Sequence, residues 1–389
     1  MIKRVLSVLL CGIFAIVAGL PLSASGVESG AVGGNVAASG TLNLDAKGAI
    51  LMEAETGTVL YESESKKKLY PASVTKVMTM LLIMEALDSG TVTEDDSVTA
   101  SENACSYGGT QIYLEVGETM TLRDLLKSVA VNSANDAAVA LGEYLAGSEA
   151  AFVTRMNERA RELGAENTNF VNPCGLPDEN HYTCAYDVAL FTKELLTHPH
   201  ILDYTGIWMD SLRNGGFGLA NTNKLLKTYD GMTGMKTGYT EAAGHCLAAT
   251  ATRDGMSLIA VVLGGETSKG RFASAASLLD YGFAGYTVVH RSVGDLSDIP
   301  VNRGKSDTVS VAAEGDLTLV VKKSEASRIA LEITVEETLQ APVSVGQVVG
   351  TAKFMYEGEE VLSVPVVATE TVEKAGFFDY FSQMVDWLL

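Results

Sequence analysis

Three short segments carry residues whose types and spacing suit nucleophilic catalysis. They are the pair Ser73 and Lys76 in "YPASVTKVMT", the pair Ser133 and Asn135 in "NSAN", and the tripeptide "KTG" at 236–238. A neutral serine hydroxyl is a poor nucleophile, so a catalytic serine needs a base beside it. A lysine can be that base only when it is unprotonated, against an ordinary pKa of about 10.4. The first segment therefore raises the question of what surrounds Lys76.

The serine–lysine spacing alone carries little weight. Two more pairs with this spacing lie in the polar run "SESKKKL" (63–69), whose lysines are expected to be solvated. Ser73 and Lys76 differ because they are predicted to open an amphipathic helix, on which positions three apart share a face. Apolar residues follow at helical spacing, at Val77, Met80, Leu81 and Met84. A serine at such a helix start lies beside free backbone N–H groups that stabilise an oxyanion, although an ordinary N-cap also fits.

The other two segments are ambiguous when each is taken alone. "SAN" (133–135) falls in a predicted break between two helices, where polar side chains project into a cleft; an ordinary loop turn also fits. "KTG" is predicted to open a hairpin strand in which Gly238 lets a substrate backbone approach; an exposed strand edge also fits. The three segments occur in order on three suitable elements, and this combination makes the pattern specific.

Turn signals and apolar periodicity predict the elements that position these segments. Glu55-Thr56-Gly57 separates two strands within 49–63, and Asp254-Gly255 separates two longer strands. The predicted helices lie at 121–145 with a break at 132–135, at about 148–164, at about 185–196 and at 271–286. Short β-type runs follow residue 288. The pattern predicts an α+β protein with a second, β-rich domain.

The ordered set S-x-x-K, S-x-N and K-T-G resembles that of penicillin-binding proteins and serine β-lactamases. The chain is most similar to the low-molecular-mass D-alanyl-D-alanine carboxypeptidases of the S11 serine-peptidase type. The resemblance covers nearly all of residues 42–370, including the segments "GGTQIYLEVGE" (108–118), "NSANDAAVALGEYLAGS" (132–148), "NTNFVNPCGL" (167–176), "GMKTGYTEAAGHCL" (234–247) and "GGETSKGR" (264–271). It implies a transpeptidase domain with an antiparallel sheet flanked by helices, a small all-β domain and a C-terminal amphipathic helix.

The resemblance implies a role for each polar residue of the three segments. Ser73 would attack the carbonyl between two D-alanines, with Lys76 as its general base. Ser133 would relay the proton to the leaving amine in contact with Lys236, and Asn135 would hold the substrate amide and Lys76. Burial and the second cation, Lys236, are expected to lower the pKa of Lys76.

Substrate-binding residues follow from the same resemblance. Thr237, together with Lys236, would bind the terminal carboxylate of the substrate, which would make the enzyme an exopeptidase. The backbone N–H groups of Ser73 and Tyr239, the residue after Gly238, would form the oxyanion hole.

Two further substrate-binding positions are implied less directly. Arg271 in "SKGR" resembles a position near the substrate carboxylate, although an exposed arginine at a helix start also fits. Cys174, followed by Gly175 and Leu176, stands where relatives commonly carry histidine. We interpret it as a substitution in a specificity loop rather than as a nucleophile, because Ser73 already fills that role.

The two ends of the chain carry targeting signals. Residues 1–25 have a positive start, an apolar run and small residues for cleavage, so they are predicted to be a signal peptide; an uncleaved membrane anchor is the alternative. Residues 26–41 are a Gly/Ala/Ser linker, 42–287 the catalytic domain and 288–371 the β-rich domain. Residues 374–389 present a wide aromatic face that suits a helix in a membrane interface, or one docked on its own domain. The protein is expected at the extracytoplasmic face of the membrane and cell wall.

Composition argues against several functional classes. The 389 residues are 47% hydrophobic and 20% charged with a formal net charge of −20, so no nucleic-acid partner is expected. Five histidines without an HExxH or CxxC motif give no metal signature, and no cofactor is expected. The four cysteines beyond residue 25 are scattered singly, which favours isolated core thiols, although export permits a bridge.

Together these patterns predict a serine-type carboxypeptidase that removes the terminal D-alanine from peptidoglycan stem peptides through an acyl-enzyme, with β-lactams as covalent inhibitors. A D,D-endopeptidase and a sporulation-specific wall-modifying variant are alternatives. A β-lactamase is disfavoured because no acidic deacylation motif is evident between "SAN" and "KTG", and Glu166 stands in a context that matches the peptidases. A silent wall-binding module is disfavoured because the polar residues of all three segments are intact.

Overall fold

The computed structural model describes residues 42–294 and 296–381. The predicted signal peptide and linker, and residues 382–389 of the predicted C-terminal helix, lie outside the described residues. Within those ranges, no helix has the length and apolar character that crossing a membrane requires.

Both helices and strands occur up to Gly285, and strands predominate after it. The α-helices are α1 (Lys76–Asp88), α2 (Glu102–Ser106), α3 (Leu122–Val131), α4 (Asn135–Ala146), α5 (Glu149–Glu162), α6 (Ala185–Leu196), α7 (Leu202–Thr205), α8 (Leu225–Thr228) and α9 (Ser268–Gly285). Short 3₁₀ helices lie at Ala72–Thr75, Pro199–Ile201, Arg213–Gly215 and Ala326–Arg328.

The strands are shorter at the periphery and longest in the two main sheets. They are β1 (Gly48–Glu53), β2 (Val59–Ser63), β3 (Ser97–Thr99), β4 (Thr119–Thr121), β5 (Met209–Leu212), β6 (Phe217–Ala220), β7 (Met232–Thr240), β8 (Gly244–Arg253), β9 (Met256–Gly265), β10 (Tyr286–Arg291), β11 (Ile299–Asn302), β12 (Thr308–Val309), β13 (Val311–Ala313), β14 (Leu317–Lys322), β15 (Ile329–Val335), β16 (Leu339–Gln340), β17 (Val348–Tyr356) and β18 (Glu359–Ala368).

A five-stranded antiparallel sheet in the order β2-β1-β9-β8-β7 forms the centre of the first region. The turn Asp254-Gly255 joins β8 to β9, and its two residues have φ angles of 49° and 77°. Two consecutive positive φ angles belong to the type I′ turn, whose twist matches that of a hairpin. In the β1–β2 turn, the Glu53 carboxylate accepts hydrogen bonds from the backbone N–H groups of Glu55 and Thr56. Both predicted hairpins are therefore confirmed.

The central sheet is buried on both faces. On β9, Ile259 and Val261 belong to the core shared with α1 and α6, whereas Leu258 and Ala260 belong to the core shared with α9. Alternate side chains of a strand point to opposite faces, so a strand covered on both sides is apolar at every position. This explains the continuous apolar run "MSLIAVVLGG".

The helix that follows Ser73 differs from its prediction. We expected α1 to be amphipathic, with one apolar face, and this is wrong: every residue from Lys76 to Met84 is buried. The helix is enclosed because α3, α4, α5 and α6 all pack against it. Residues outside the predicted apolar stripe, such as Met78 and Ile83, are as buried as the stripe itself. Lys76 is thus placed in the protein interior.

The second region is built from strands. β10 pairs with β14, β11 lies between β12 and β16, and β13-β18-β17-β15 form a four-stranded sheet. Val309, Leu317, Phe354 and Val366 are at the centre of their shared core. Helices and an antiparallel sheet followed by an all-β region confirm the predicted α+β class. Residues 377–381 are helical, and their aromatic side chains are exposed.

Candidate active site

Ser73 lies in the 3₁₀ turn Ala72–Thr75 that leads into α1. The residue before it, Ala72, has a φ of 47°, in the left-handed region that alanine rarely adopts. The N-cap position of α1 is Thr75, so Ser73 is not the cap of this helix. Ser73 is half-buried, while its neighbours Ala72 and Val74 are buried. The turn therefore presents the serine from an otherwise enclosed segment.

Lys76 lies one helical turn after Ser73 and is wholly buried. Its Nζ is 2.9 Å from Ser73 Oγ, 2.7 Å from Asn135 Oδ1 and 2.8 Å from the carbonyl oxygen of Cys174. Burial lowers the pKa of Lys76 to about 8, and the nearby Cys174 and Asp136 side chains partly oppose this effect. The structure thus joins the first two predicted segments through one amine.

Asn135 reaches Lys76 because "SAN" forms the break between α3 and α4. Ser133 is buried there and has a φ of 67°, so the chain turns sharply before α4 begins at Asn135. The Asn135 side chain also donates from Nδ2 to the carbonyl of Gly108 at 2.7 Å. Its backbone N–H donates to the carbonyl of Thr110 at 2.7 Å. The predicted helix break is confirmed. The side-chain amide of Asn135 is held at its oxygen by Lys76 and at its nitrogen by Gly108.

"KTG" lies on β7, at the edge of the central sheet. We predicted that it opens the strand, and this is wrong: β7 begins at Met232, so Lys236 is at mid-strand, opposite Ala248 of β8. The strand begins earlier than predicted because residues 232–234, which are less apolar, also pair with β8. Lys236 is buried, so the alternative of an exposed strand edge does not hold for it. The Thr237 hydroxyl lies 2.6 Å from that of Thr222.

Lys76 and Arg271 both affect the ionisation of Lys236 on β7. The pKa of Lys236 is held well below its ordinary value, first by burial and then by the charges of Lys76 and Arg271. At Lys76 the main cause is burial. Burial is thus the first cause of the lowered pKa at both Lys76 and Lys236.

Gly238 allows β7 to lie directly against the 3₁₀ turn Ala72–Thr75 that carries Ser73, called here the nucleophile turn. A Cβ atom at Gly238 would lie 2.8 Å from the Pro71 carbonyl oxygen, 2.9 Å from the Ser73 nitrogen and 3.0 Å from the Val74 nitrogen. The absence of a side chain thus makes room for atoms of the protein, and the approach of a substrate at Gly238 stays a prediction. Any side chain at Gly238 would push the nucleophile turn away from "KTG".

Sequence comparison connects the chain with known proteins over almost its whole length. A family model of D-alanyl-D-alanine carboxypeptidases matches residues 35–267, and a model of the penicillin-binding protein 5 C-terminal domain matches residues 287–374. D-alanyl-D-alanine carboxypeptidase DacF of Bacillus subtilis is 42% identical over 392 residues, which cover 99% of each chain. The chain belongs to the D-alanyl-D-alanine carboxypeptidase family.

Solved structures agree with this carboxypeptidase assignment. Penicillin-binding protein 5 from Haemophilus influenzae has a TM-score of 0.76 and 30% identity, covering 87% of this chain and 100% of that one. Penicillin-binding protein D2 from Listeria monocytogenes, in its ampicillin-bound form, has a TM-score of 0.58 and 33% identity, covering 63% of this chain and 99% of that one. The described fold is thus that of penicillin-binding carboxypeptidases.

Arg271 occupies an unexpected place for a substrate-binding residue of a carboxypeptidase. It lies in the first turn of α9 and is buried, so the alternative of an exposed helix-start arginine is wrong. Its Nη1 donates to the carbonyl of Gly238 at 2.8 Å and to that of Cys246 at 3.2 Å. In a trans peptide the carbonyl and the N–H point in opposite directions. By holding the Gly238 carbonyl from behind, Arg271 turns the N–H of Tyr239 the other way.

Cys174 also contacts the site through its backbone. Its thiol is buried 3.4 Å from Asn172 Oδ1, and burial raises the pKa of the thiol. Its carbonyl accepts the hydrogen bond from Lys76. The next residue, Gly175, has a φ of 87°, and a Cβ there would lie 1.8 Å from the Ala72 carbonyl oxygen. The 174–176 segment therefore packs beneath the nucleophile turn, with Leu176 half-buried at its end.

Sequence inspection missed the residues that hold these groups in place. Asn172 Oδ1 accepts hydrogen bonds from the backbone N–H groups of residues 174–176, and its Nδ2 donates to the carbonyl of Leu176. The buried Asp136 carboxylate accepts from the N–H groups of Ile112 and Leu114. The Asn-Pro dipeptide at 172–173 marks a turn, which was the available signal for Asn172. For Asp136 no comparable local signal exists.

The described residues contain no cluster of three or more histidine, cysteine or acidic side chains placed to bind a metal ion. Cys105 is half-buried, and Cys184 and Cys246, like Cys174, are buried; all four are free thiols. Tyr239, by contrast, is exposed and stacks on His245 with ring centroids 4.4 Å apart. It is the predicted site residue whose side chain is most open to solvent.

Proposed function

We propose that this protein is a serine D-alanyl-D-alanine carboxypeptidase that removes the terminal D-alanine from peptidoglycan stem peptides through an acyl-enzyme on Ser73. The observation that carries the proposal is the buried Lys76 amine 2.9 Å from Ser73 Oγ. With a pKa of about 8, roughly one amine in ten is unprotonated at pH 7, against roughly one in 2,500 at the ordinary value.

The partners of Lys76 fit its action as a general base. An unprotonated amine has two N–H groups and one lone pair. The Asn135 Oδ1 and the Cys174 carbonyl oxygen accept the two N–H groups. The lone pair is then directed to the third neighbour, the Ser73 hydroxyl. Ser73 transfers its proton to Lys76 as its Oγ bonds to the substrate carbonyl carbon.

The remaining steps use the other two segments. In this proposal Ser133 accepts the proton from Lys76 and passes it to the nitrogen of the leaving D-alanine as the scissile C–N bond breaks, with Lys236 assisting the transfer. Water then attacks the ester and regenerates Ser73. Thr237, with Lys236, binds the terminal carboxylate, and the guanidinium of Arg271, which donates to the Gly238 carbonyl, supplies positive charge beside them.

Two backbone N–H groups form the oxyanion hole in this proposal. The close approach of Gly238 to the Ser73 nitrogen brings β7 and the nucleophile turn together. The Arg271 hydrogen bond to the Gly238 carbonyl supports an outward direction for the N–H of Tyr239. Removal of one such donor typically lowers the rate on the order of 100-fold or more.

The cellular setting of the proposal follows the sequence features at both ends. Residues 1–25 direct export, 26–41 are the linker, and 42–287 act at the extracytoplasmic face of the membrane and cell wall. The β-rich domain at 288–371 is followed by the segment 374–389, whose aromatic side chains bind the membrane surface. β-Lactams acylate Ser73, a proposal supported by the related penicillin-binding protein in its ampicillin-bound form.

The test is incubation with a pentapeptide ending in D-Ala-D-Ala, comparing the wild type with Ser73→Ala. Free D-alanine is expected from the wild type alone. A cross-linked peptide dimer, assayed in parallel, distinguishes the alternative of an endopeptidase. If the wild type takes up labelled penicillin at Ser73 but releases no D-alanine, the proposed carboxypeptidase activity is wrong.

A further inference from the structure

His181 is a buried histidine that lies beneath the nucleophile turn and has no role in the steps above. Its Nε2 is 2.8 Å from the hydroxyl of Thr75, the last residue of the turn. Its Nδ1 lies 3.1 Å from the backbone nitrogen of Val171. The ring therefore bridges two segments that are separated by almost a hundred residues of sequence.

The neighbours of the ring determine its tautomer. The N–H of Val171 donates to Nδ1, so Nδ1 carries no proton and Nε2 carries one. The Thr75 hydroxyl donates its own proton to the Ala72 carbonyl at 2.8 Å, so it must accept the hydrogen bond from His181 Nε2. Burial lowers the pKa of His181 to about 4, which keeps the ring neutral near pH 7. The hydrogen bonds run in one direction, from Val171 through His181 and Thr75 to Ala72.

This chain of hydrogen bonds ends on the peptide that joins Ala72 to Ser73. Ala72 has a φ of 47°, a conformation that persists only where surrounding contacts impose it. Because the peptide is trans, a carbonyl held inward by Thr75 turns the N–H of Ser73 outward. The same carbonyl lies against Gly175, where a Cβ would be only 1.8 Å away. Thr75 and the loop at 175 thus fix the carbonyl from two sides.

We propose that His181 is a positioning residue for the reaction: through Thr75 it orients the Ala72–Ser73 peptide, and so aims the N–H of Ser73 at the developing oxyanion. The inference rests on the proposed function, in which that N–H is an oxyanion-hole donor. His181 and Arg271 then have parallel tasks. Each holds, directly or through Thr75, the carbonyl of a peptide whose N–H faces the substrate.

Two substitutions of His181 separate its two hydrogen bonds. In His181→Gln the amide nitrogen is placed near the former Nε2 and donates to Thr75. In His181→Asn the shorter side chain reaches the position of Nδ1, accepts from Val171 and leaves Thr75 without its donor. Each variant loses one of the two hydrogen bonds, so a purely structural role predicts similar losses of activity.

The experiment measures acylation of Ser73 by labelled penicillin, with its maximal rate and half-saturating concentration resolved, together with the melting temperature. His181→Asn is expected to lower the maximal rate about tenfold or more with little change in half-saturation, since an oxyanion-hole donor is worth on the order of 100-fold. His181→Gln is expected to lose no more than about threefold. Thr75→Val should resemble His181→Asn, and Thr75→Ser, which keeps the hydroxyl, should restore most of the rate.

The control is His290→Asn, because His290 on β10 also contacts a threonine hydroxyl, that of Thr318, away from Ser73. Equal rates for His181→Asn and His181→Gln would overturn the proposal, as would losses that follow the melting temperature rather than the identity of the retained hydrogen bond. Failure of the wild type itself to be acylated would instead refute the proposed function, and the role of His181 with it.

Discussion

Burial, rather than a neighbouring cation, is the main cause of the lowered pKa of Lys76. The amine is enclosed by α1, the start of α4 and the loop that contains Cys174, and all its hydrogen-bond partners are oxygen atoms. Desolvation disfavours the charged form of a lysine, while carbonyl oxygens hold the neutral amine in place. The residue is thus prepared to accept a proton before substrate binds.

This environment predicts the pH dependence of acylation. The rate of acylation by labelled penicillin is expected to rise as the pH increases through about 8 and to level off above it, because only unprotonated Lys76 accepts the Ser73 proton. An ordinary lysine would place the rise near 10.4. Lys76→Arg, which stays protonated throughout, is expected to be inert over the whole range. A midpoint near 10, or normal acylation of Lys76→Arg, would contradict the base role.

The loop between α5 and α6 contacts the nucleophile turn at Thr75 and at the Ala72 carbonyl. Asn172 supplies the backbone hydrogen bonds that regular secondary structure would otherwise provide there. Its one amide side chain binds the backbone of three successive residues. His181, at the far end of the loop, holds Thr75. The loop therefore supports the turn at two separate points.

Asn172→Ala is expected to loosen the 174–176 segment. Loss of these hydrogen bonds should lower the free energy of unfolding by about 2–3 kcal/mol, at about 1 kcal/mol for each of the better-formed bonds. It should also expose the Cys174 thiol, whose labelling can be followed by peptide mass spectrometry. Asn169→Ala on the same loop, which loses an exposed hydrogen bond to Asn180, is the matched control. Unchanged labelling of Cys174 in Asn172→Ala would show that Asn172 does not order the segment.

The elements also show which features local sequence could predict. The Asp254-Gly255 hairpin and the break at 133–135 were predictable, because the turn residues and the flanking periodicity are adjacent in sequence. The burial of α1 on all sides was not, because it depends on four helices from elsewhere in the chain. The roles of Gly238 and Arg271 depend likewise on contacts between distant segments. Their residue types alone allow several explanations.

For the whole molecule, the proposed site and the proposed membrane helix lie in different regions of the chain. The first is formed by segments between Ala72 and Arg271, and the second begins after the all-β region. Phe377 and Phe378 are 78% and 82% exposed, respectively, although aromatic side chains of this size usually find a partner surface. The arrangement predicts that membrane binding and acylation can be altered separately.

Replacing both Phe377 and Phe378 by serine is expected to lower co-sedimentation with phosphatidylcholine vesicles about tenfold or more, because two large apolar side chains no longer enter the interface. Acylation by penicillin should not change. The control is the pair Val345→Ser and Val348→Ser, exposed apolar residues of the same region. Equal loss from both pairs would indicate general surface hydrophobicity rather than a membrane-binding helix.

The guanidinium of Arg271, which lies against Gly238 of β7, has a further consequence for substrate capture. The chain carries a formal net charge of −20, while the proposed carboxylate pocket is lined by Lys236 with Arg271 beside it. An anionic peptide is thus repelled at long range and attracted only at contact. Added salt screens the long-range repulsion more than the short-range attraction. Moderate ionic strength should therefore accelerate encounter with anionic stem peptides, the reverse of the usual electrostatic steering.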